Sequence, residues 1–254
     1  MRSTSLDIED RHALVDWLRA TGRLAEHEEV GTTLLGGGVS NRVVKVVRAS
    51  GESWVLKQAL EQLRVQAEWH CSVLRVHREA LGMRWLAKLA PPGAVPRFLF
   101  EDGEHHLLAM EAVPSTYENW KEILLAGRVN PADFAGAGTL LATMHNRAME
   151  FADDLVPIFE DRSFFDALRL EPFYEFSAER VPATGDFLRS LVLDTRARRS
   201  CLVHGDFSPK NILIDNDRMV LLDHEVIHWG DPMFDVGFFL AHALSKAHAL
   251  VGRR

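Results

Sequence analysis

Cys201-Leu202-Val203-His204-Gly205-Asp206-Phe207-Ser208-Pro209-Lys210-Asn211-Ile212-Leu213-Ile214, followed by Met219-Val220-Leu221-Leu222-Asp223-His224-Glu225, is the stretch on which the fold turns. Two short β runs, 201–203 and 212–214, bracket a polar loop, and a third run, 219–222, ends at a carboxylate. Asp206 is suited to orient a hydroxyl group. Asn211 offers an amide oxygen and Asp223 a second carboxylate, a donor set that suits Mg²⁺. Phosphoryl transfer asks for these parts and for little covalent chemistry from the protein. A lone loop aspartate is most often a turn or capping residue. Here the surrounding pieces agree with one another, and such consistency favours the catalytic reading of Asp206.

Upstream, apolar residues at helical spacing (Leu6, Ile8, Ala13, Leu14, Trp17, Leu18) predict an amphipathic helix over 6–20 that stops at Thr21-Gly22. Short β-rich runs at 31–35, 43–47 and 54–60 predict three strands in meander order. A helix is expected over 62–89, ended by Pro91-Pro92-Gly93, and then strands over 97–101 and 106–111 joined at Asp102-Gly103. Beyond Val113-Pro114 the pattern is mainly helical, clearest over 131–145, and a last helix is expected from Asp235. Between the first two strands, Leu35-Gly36-Gly37-Gly38-Val39-Ser40-Asn41 forms a glycine-rich turn that lets backbone N–H groups approach phosphate oxygens. No Gly-Lys-Ser/Thr accompanies it, so a P-loop is not supported.

Composition narrows the partners. With 47% hydrophobic and 26% charged residues, the 254-residue chain can build one large domain or two lobes. A net charge of -7 provides no basic field for nucleic acid or anionic lipid, so neither is expected as a partner. Neither a signal peptide nor an apolar run long enough to span a bilayer is visible, and a cytoplasmic location is expected. Cys71 and Cys201 read as core thiols, which suits a reducing compartment. His70 and His77 have no third ligand at metal spacing. Trp69, Trp85, Trp120 and Trp229 read as packing residues.

The segment His204-Gly205-Asp206, four residues and Asn211, with Asp223-His224-Glu225 and Gly230-Asp231-Pro232-x-x-Asp235 after it, resembles the aminoglycoside phosphotransferase and choline kinase superfamily. Gly-Gly-x-Ser-Asn at the glycine-rich turn is also typical of that superfamily, and the resemblance runs from Leu34 to the last helix. It implies an α+β, two-lobed, protein-kinase-like fold: an N-terminal nucleotide-binding lobe (1–112) with an antiparallel sheet and a helix, and a mainly helical C-terminal lobe (113–254) that carries the catalytic loop and acceptor site. ATP and Mg²⁺ are the implied cofactors, with ATP in the cleft.

By the same resemblance, Gly37, Gly38 and Ser40 approach the phosphates and Lys57 contacts them, paired with Glu79 in preference to Glu68. The Glu111 carbonyl and the Val113 N–H meet adenine. Asn211 and Asp223 hold the metal, Glu225 is an indirect or second ligand, and His204 orients the loop. Asp235 reads as a helix N-cap whose role in the family is to brace the catalytic loop. Gly205 and Ser208 stand where protein kinases have Arg and Lys, which disfavours a protein substrate. A small-molecule alcohol of aminoglycoside, sugar or amino-alcohol type is expected to accept the γ-phosphoryl group. The alternative is a pseudokinase, an ATP-binding or scaffold module without turnover. Family members usually continue past the last helix with further helices, so truncation of the C-terminal lobe is also an expectation.

Overall fold

The computed structural model describes residues 6–36, 38–66 and 68–251. The chain divides into two compact units, one formed by the chain up to Ala80 with Arg97–Ala112, the other by Leu81–Pro96 with the chain from Val113 onward.

In the first unit, α1 (Arg11–Ala20) starts where the Asp10 carboxylate accepts the N–H groups of His12 and Ala13. Strands β1 (Val30–Leu34), β2 (Asn41–Arg48), β3 (Ser53–Ala59), β4 (Phe98–Asp102) and β5 (Leu107–Glu111) form one antiparallel sheet in the order β1-β2-β3-β5-β4. Alternate residues Val44, Val46, Trp54 and Leu56 are buried against Leu14 and Leu18 of α1, together with Ile8 and Leu107. The period of two that buries Leu56 turns Lys57 to the other face of the sheet.

The helix expected over 62–89 begins only at α2 (Arg75–Leu89). Only from Val76 do buried positions recur at helical spacing, through Ala80, Met83, Leu86 and Leu89, whereas Val65 and Leu74 are 44% and 53% exposed. The described residues between β3 and α2 are irregular apart from a bridge between Gln62 and His70. The turn expected at Asp102-Gly103 is longer as well. It runs over 103–106, the Asp102 carboxylate accepts the His105 N–H at 2.9 Å, and His106 has φ 48°.

The second unit contains β6 (Glu118–Asn119), α3 (Trp120–Leu125), α4 (Pro131–Glu150), α5 (Ala152–Phe159) and α6 (Ser163–Phe165). A π-helical stretch, Asp166–Glu175, leads into α7 (Phe176–Arg180) and α8 (Pro182–Ala197). Then come β7 (Cys201–Val203), a 3₁₀ turn (Pro209–Asn211), β8 (Ile212–Asp215), β9 (Arg218–Leu221), β10 (His228–Gly230) and α9 (Met233–Val251). The sequence signal did not reveal β10, which pairs antiparallel with β7; β6, β8 and β9 form a second small sheet. Trp120, Leu140, Leu141, Phe207, Ile212 and Trp229 share one core, which is how the loop after β7 is fixed to the helices. Cys201 lies in that core too, and burial pushes its thiol up to about 11. Among the described residues no helix is long and apolar enough to cross a membrane.

Packing against α2 is tight. A methyl group on Gly82 would stand 2.9 Å from Ile227 Cγ2 and 3.2 Å from His224 Cβ, and both partners are buried. Alanine in place of a helical glycine gains about 1 kcal/mol, but overpacking a closed core costs about 1–3 kcal/mol. Gly82→Ala is therefore expected to lower stability by about 1 kcal/mol, read as a fall in denaturation midpoint.

Candidate active site

In the first unit, Lys57 Nζ lies 2.6 Å from Glu79 Oε1, and both side chains are largely buried. Glu68, the other candidate partner, sits 3.4 Å from His70. The ammonium group is thus held at one place on β3 by a carboxylate from α2. Gly37 lies outside the described residues. Gly38 has open space where a side chain would stand, its nearest contact being the Asn41 carbonyl at 3.8 Å. Ser40 is buried, and its carbonyl accepts from Leu60 N at 2.9 Å and from Arg75 Nη2.

Arg75, fully buried, also donates to the carbonyls of Leu60 (2.7 Å), Cys71 (3.0 Å) and Ser72 (2.9 Å). It ties the end of the glycine-rich turn to the irregular segment before α2. No sequence pattern flagged this role. Glu111 ends β5 with its side chain on Arg97 at 3.0 Å, and Val113 is half-buried. His77 bonds to Glu101 at 2.9 Å.

In the second unit the chain leaves β7 through Gly205, at φ 78°. A Cβ there would stand 3.0 Å from Val226 Cγ2 and 3.1 Å from Val226 O, so both conformation and space call for glycine. His204 Nδ1 accepts the Asp206 N–H at 3.1 Å, which assigns its proton to Nε2. Nε2 then donates to Nδ1 of His224 at 3.0 Å. Burial, against the opposing charges of Asp235 and Asp223, pushes His204 down to about 4. A neutral ring with both nitrogens engaged is suited to orienting the loop. The sequence reading gave His224 no part in this.

Asp206 Oδ2 accepts from Asn211 Nδ2 at 2.6 Å and from Arg169 Nη2 at 2.7 Å. Burial and then the neighbouring Asp223 push its carboxyl up, Arg169, Lys210 and Asn211 pull it down, and the balance lies at about 6. Arg169 also donates to the Gly205 carbonyl at 3.0 Å. It sits in the π-helical stretch, a rare geometry that is frequent at functional sites. Its sequence neighbourhood gave no hint of the contact, because the partner lies in a loop far along the chain.

Asp235 is in the first turn of α9, but it does not cap that helix. Its two oxygens accept the N–H groups of His204 and Gly205, each at 2.8 Å, and His145 Nε2 lies at 3.1 Å. The N-cap expectation for Asp235 is corrected accordingly: Asp231 takes that place, accepting the Met233 N–H at 3.0 Å. Burial alone would raise the Asp235 carboxyl; the His145 hydrogen bond, the His204 and His145 charges and the backbone N–H outweigh it and hold it below the usual range.

Asn211 and Asp223 are brought together by the β8–β9 hairpin, where Leu222 N donates to Asn211 O at 2.8 Å. Asp223 has φ 67°, a strained conformation of the kind that collects at binding sites. Its carboxylate lies within 4.8 Å of that of Glu225. The Asn211 amide nitrogen is turned to Asp206, which leaves its oxygen as the donor to a cation. Amide oxygen and carboxylates are hard donors, so these residues fit Mg²⁺.

The model of the phosphotransferase enzyme family matches residues 31–250. A methylthioribose kinase of Yersinia enterocolitica is 26% identical over 94% of this chain, which spans 66% of that protein's length. A methylthioribose kinase of Oryza sativa is 25% identical over 92% of the chain and 62% of its own length. Among solved structures, a choline/ethanolamine kinase family protein from Mesorhizobium loti superposes with a TM-score of 0.57 at 18% identity, covering 94% of this chain and 72% of the other. Macrolide 2'-phosphotransferase MphH from Brachybacterium faecium gives 0.54 at 21% identity, with 95% and 83% covered. These structures carry the α+β, kinase-like fold expected from the sequence.

Proposed function

This chain belongs to the phosphotransferase enzyme family, and from that premise we propose that it transfers the γ-phosphoryl group of ATP to a hydroxyl of a small molecule. The observation that carries the reading is the pairing of Asp206 with Asn211 at 2.6 Å, one hairpin away from Asp223. Asp206 accepts the hydrogen of the acceptor hydroxyl and aims its oxygen at the phosphorus. Asn211 and Asp223 hold Mg²⁺, with Glu225 beside them. Lys57, fixed by Glu79, and the amides around Gly38 and Ser40 hold phosphate oxygens. The Glu111 carbonyl and the Val113 N–H serve adenine. The cation, when bound, neutralises phosphate charge, and the protein contributes chiefly position and electrostatics.

The relatives act on different alcohols, and fold does not choose among them. The test is a panel of alcohols incubated with ATP and Mg²⁺: methylthioribose and plain sugars, choline and ethanolamine, an aminoglycoside and a macrolide. A phosphomonoester that forms only with ATP present, detected by mass spectrometry, is the expected outcome. Melting protection by ATP and Mg²⁺ without product from any acceptor would instead identify a binding module without turnover.

A further inference from the structure

We propose that Arg169 sets the charge class of the acceptor, so that the site takes a neutral or anionic alcohol and rejects one that carries an ammonium group. The inference rests on the phosphotransferase reading of Asp206 and adds a specificity determinant to it.

Arg169 is fixed in place. Its side chain is only 10% exposed, and its three nitrogens are committed to the Gly205 carbonyl at 3.0 Å, the Leu168 carbonyl at 2.7 Å and Asp206 Oδ2 at 2.7 Å. A guanidinium held on three sides by a buried frame does not swing away to admit another cation. The Arg169 guanidinium carbon lies 6.0 Å from the Phe238 ring centroid, so an ammonium group drawn to that ring would meet a cation already beside it.

Recognition of an ammonium group needs carboxylates with charge to spare, and those nearby are engaged. Asp166 and Glu175, on the same π-helical stretch as Arg169, both pair with Arg196 at 3.0 Å. Asp231 pairs with Arg198 at 3.3 Å, and the one unpaired carboxylate among these described residues, Glu171, is exposed to solvent, which screens its charge. Once Asp223 and Glu225 are given to the divalent cation, the single negative charge of Asp206 faces two positive ones, Arg169 and Lys210. His242 reports the same field: burial first, then the charges of Lys246, Arg169 and Lys210, hold its imidazole below the usual range. Like charge at this position discriminates by repulsion against the wrong substrate.

The experiment measures kcat and KM for ribose and gluconate against ethanolamine and glucosamine, in the unaltered protein and in Arg169→Met and Arg169→Lys, together with the acceptors that the panel above identifies. The unaltered protein is expected to favour the neutral and anionic alcohols at least tenfold in kcat/KM. Arg169→Met should narrow that ratio at least tenfold, through a lower KM for ammonium-bearing acceptors, while Arg169→Lys keeps the original order. If Arg169→Met does not fold, Arg169→Gln, which retains a donor for Gly205, replaces it. Preference of the unaltered protein for ammonium-bearing acceptors overturns the proposal. So does an equal loss for every acceptor in Arg169→Met, since a merely structural arginine would give that result. Absence of transfer to any acceptor, with ATP still raising the melting temperature, removes the phosphotransferase reading itself and the proposal with it.

Discussion

Asp206→Ala is expected to lower turnover roughly 10²–10⁴-fold, the range for loss of a positioned acid–base group, with nucleotide affinity little changed. Alanine also strands Arg169, whose guanidinium bonds to the carboxylate at 2.7 Å, so part of any loss can come from a disturbed loop. Asp206→Asn separates the two effects. The amide oxygen still accepts from Arg169 and Asn211 but cannot take a proton from a hydroxyl. Loss of turnover in both variants, with the melting temperature kept in Asp206→Asn, places the effect in the chemistry. In the unaltered protein activity should rise with pH through about 6, because burial and Asp223 outweigh the pull of Arg169 on this carboxyl and only its ionised form accepts the hydrogen. Full turnover in Asp206→Asn would end the assignment.

The sequence made the sheet legible because burial on one face of a strand imposes a period of two, which Val44, Val46, Trp54 and Leu56 display. Spacing likewise carried Asp206, Asn211 and Asp223, since one loop and one hairpin fix their separation. Where the reading failed, the cause was a long-range partner. The segment before α2 has apolar residues at Leu63, Val65, Trp69 and Leu74 that imitate a helix, yet Arg75 reaches back past it to the carbonyls of Leu60 and Ser40. Arg169 became visible only when the fold brought Asp206 to it. Asp235 misled in another way: a carboxylate in a first helical turn is the usual sign of a cap, but here tertiary contact redirects it to two N–H groups of the loop that carries Asp206.

The same redirected carboxylate gives the second large effect. Asp235→Ala should destabilise the fold by about 2–6 kcal/mol, the cost of leaving two buried donors without their acceptor. The N–H groups of His204 and Gly205 lose their acceptor, at about 1–3 kcal/mol each, and Asp235 is fully buried, so water does not readily replace it. Turnover should fall with stability, since these N–H groups fix the residues just before Asp206. Asp235→Asn, which keeps one oxygen but turns an amide N–H₂ toward the other donor, should fall between.

The pH dependence identifies the charge. A folded carboxyl held below the ordinary range contributes stability that is present above the unfolded pKa, about 3.9, and lost as the pH falls through the folded value. Two neighbours act at higher pH with opposite signs. His204, at about 4 when folded against an ordinary 6.5, withdraws stability as the pH drops from 6.5 to 4, because the unfolded chain takes the proton first. Asp206, at about 6 when folded against an ordinary 3.8, adds stability over nearly the same window, because there the folded chain takes the proton first. Their contributions oppose one another, whereas the loss that belongs to Asp235 comes as the pH falls below the ordinary carboxylate range. Urea denaturation of the unaltered protein and of Asp235→Ala at pH 7, 5 and 3 tests this: the stability difference should be constant from pH 7 to 5 and shrink at pH 3. A difference that stays constant to pH 3 would mean that Asp235 contributes through shape and not through its charge.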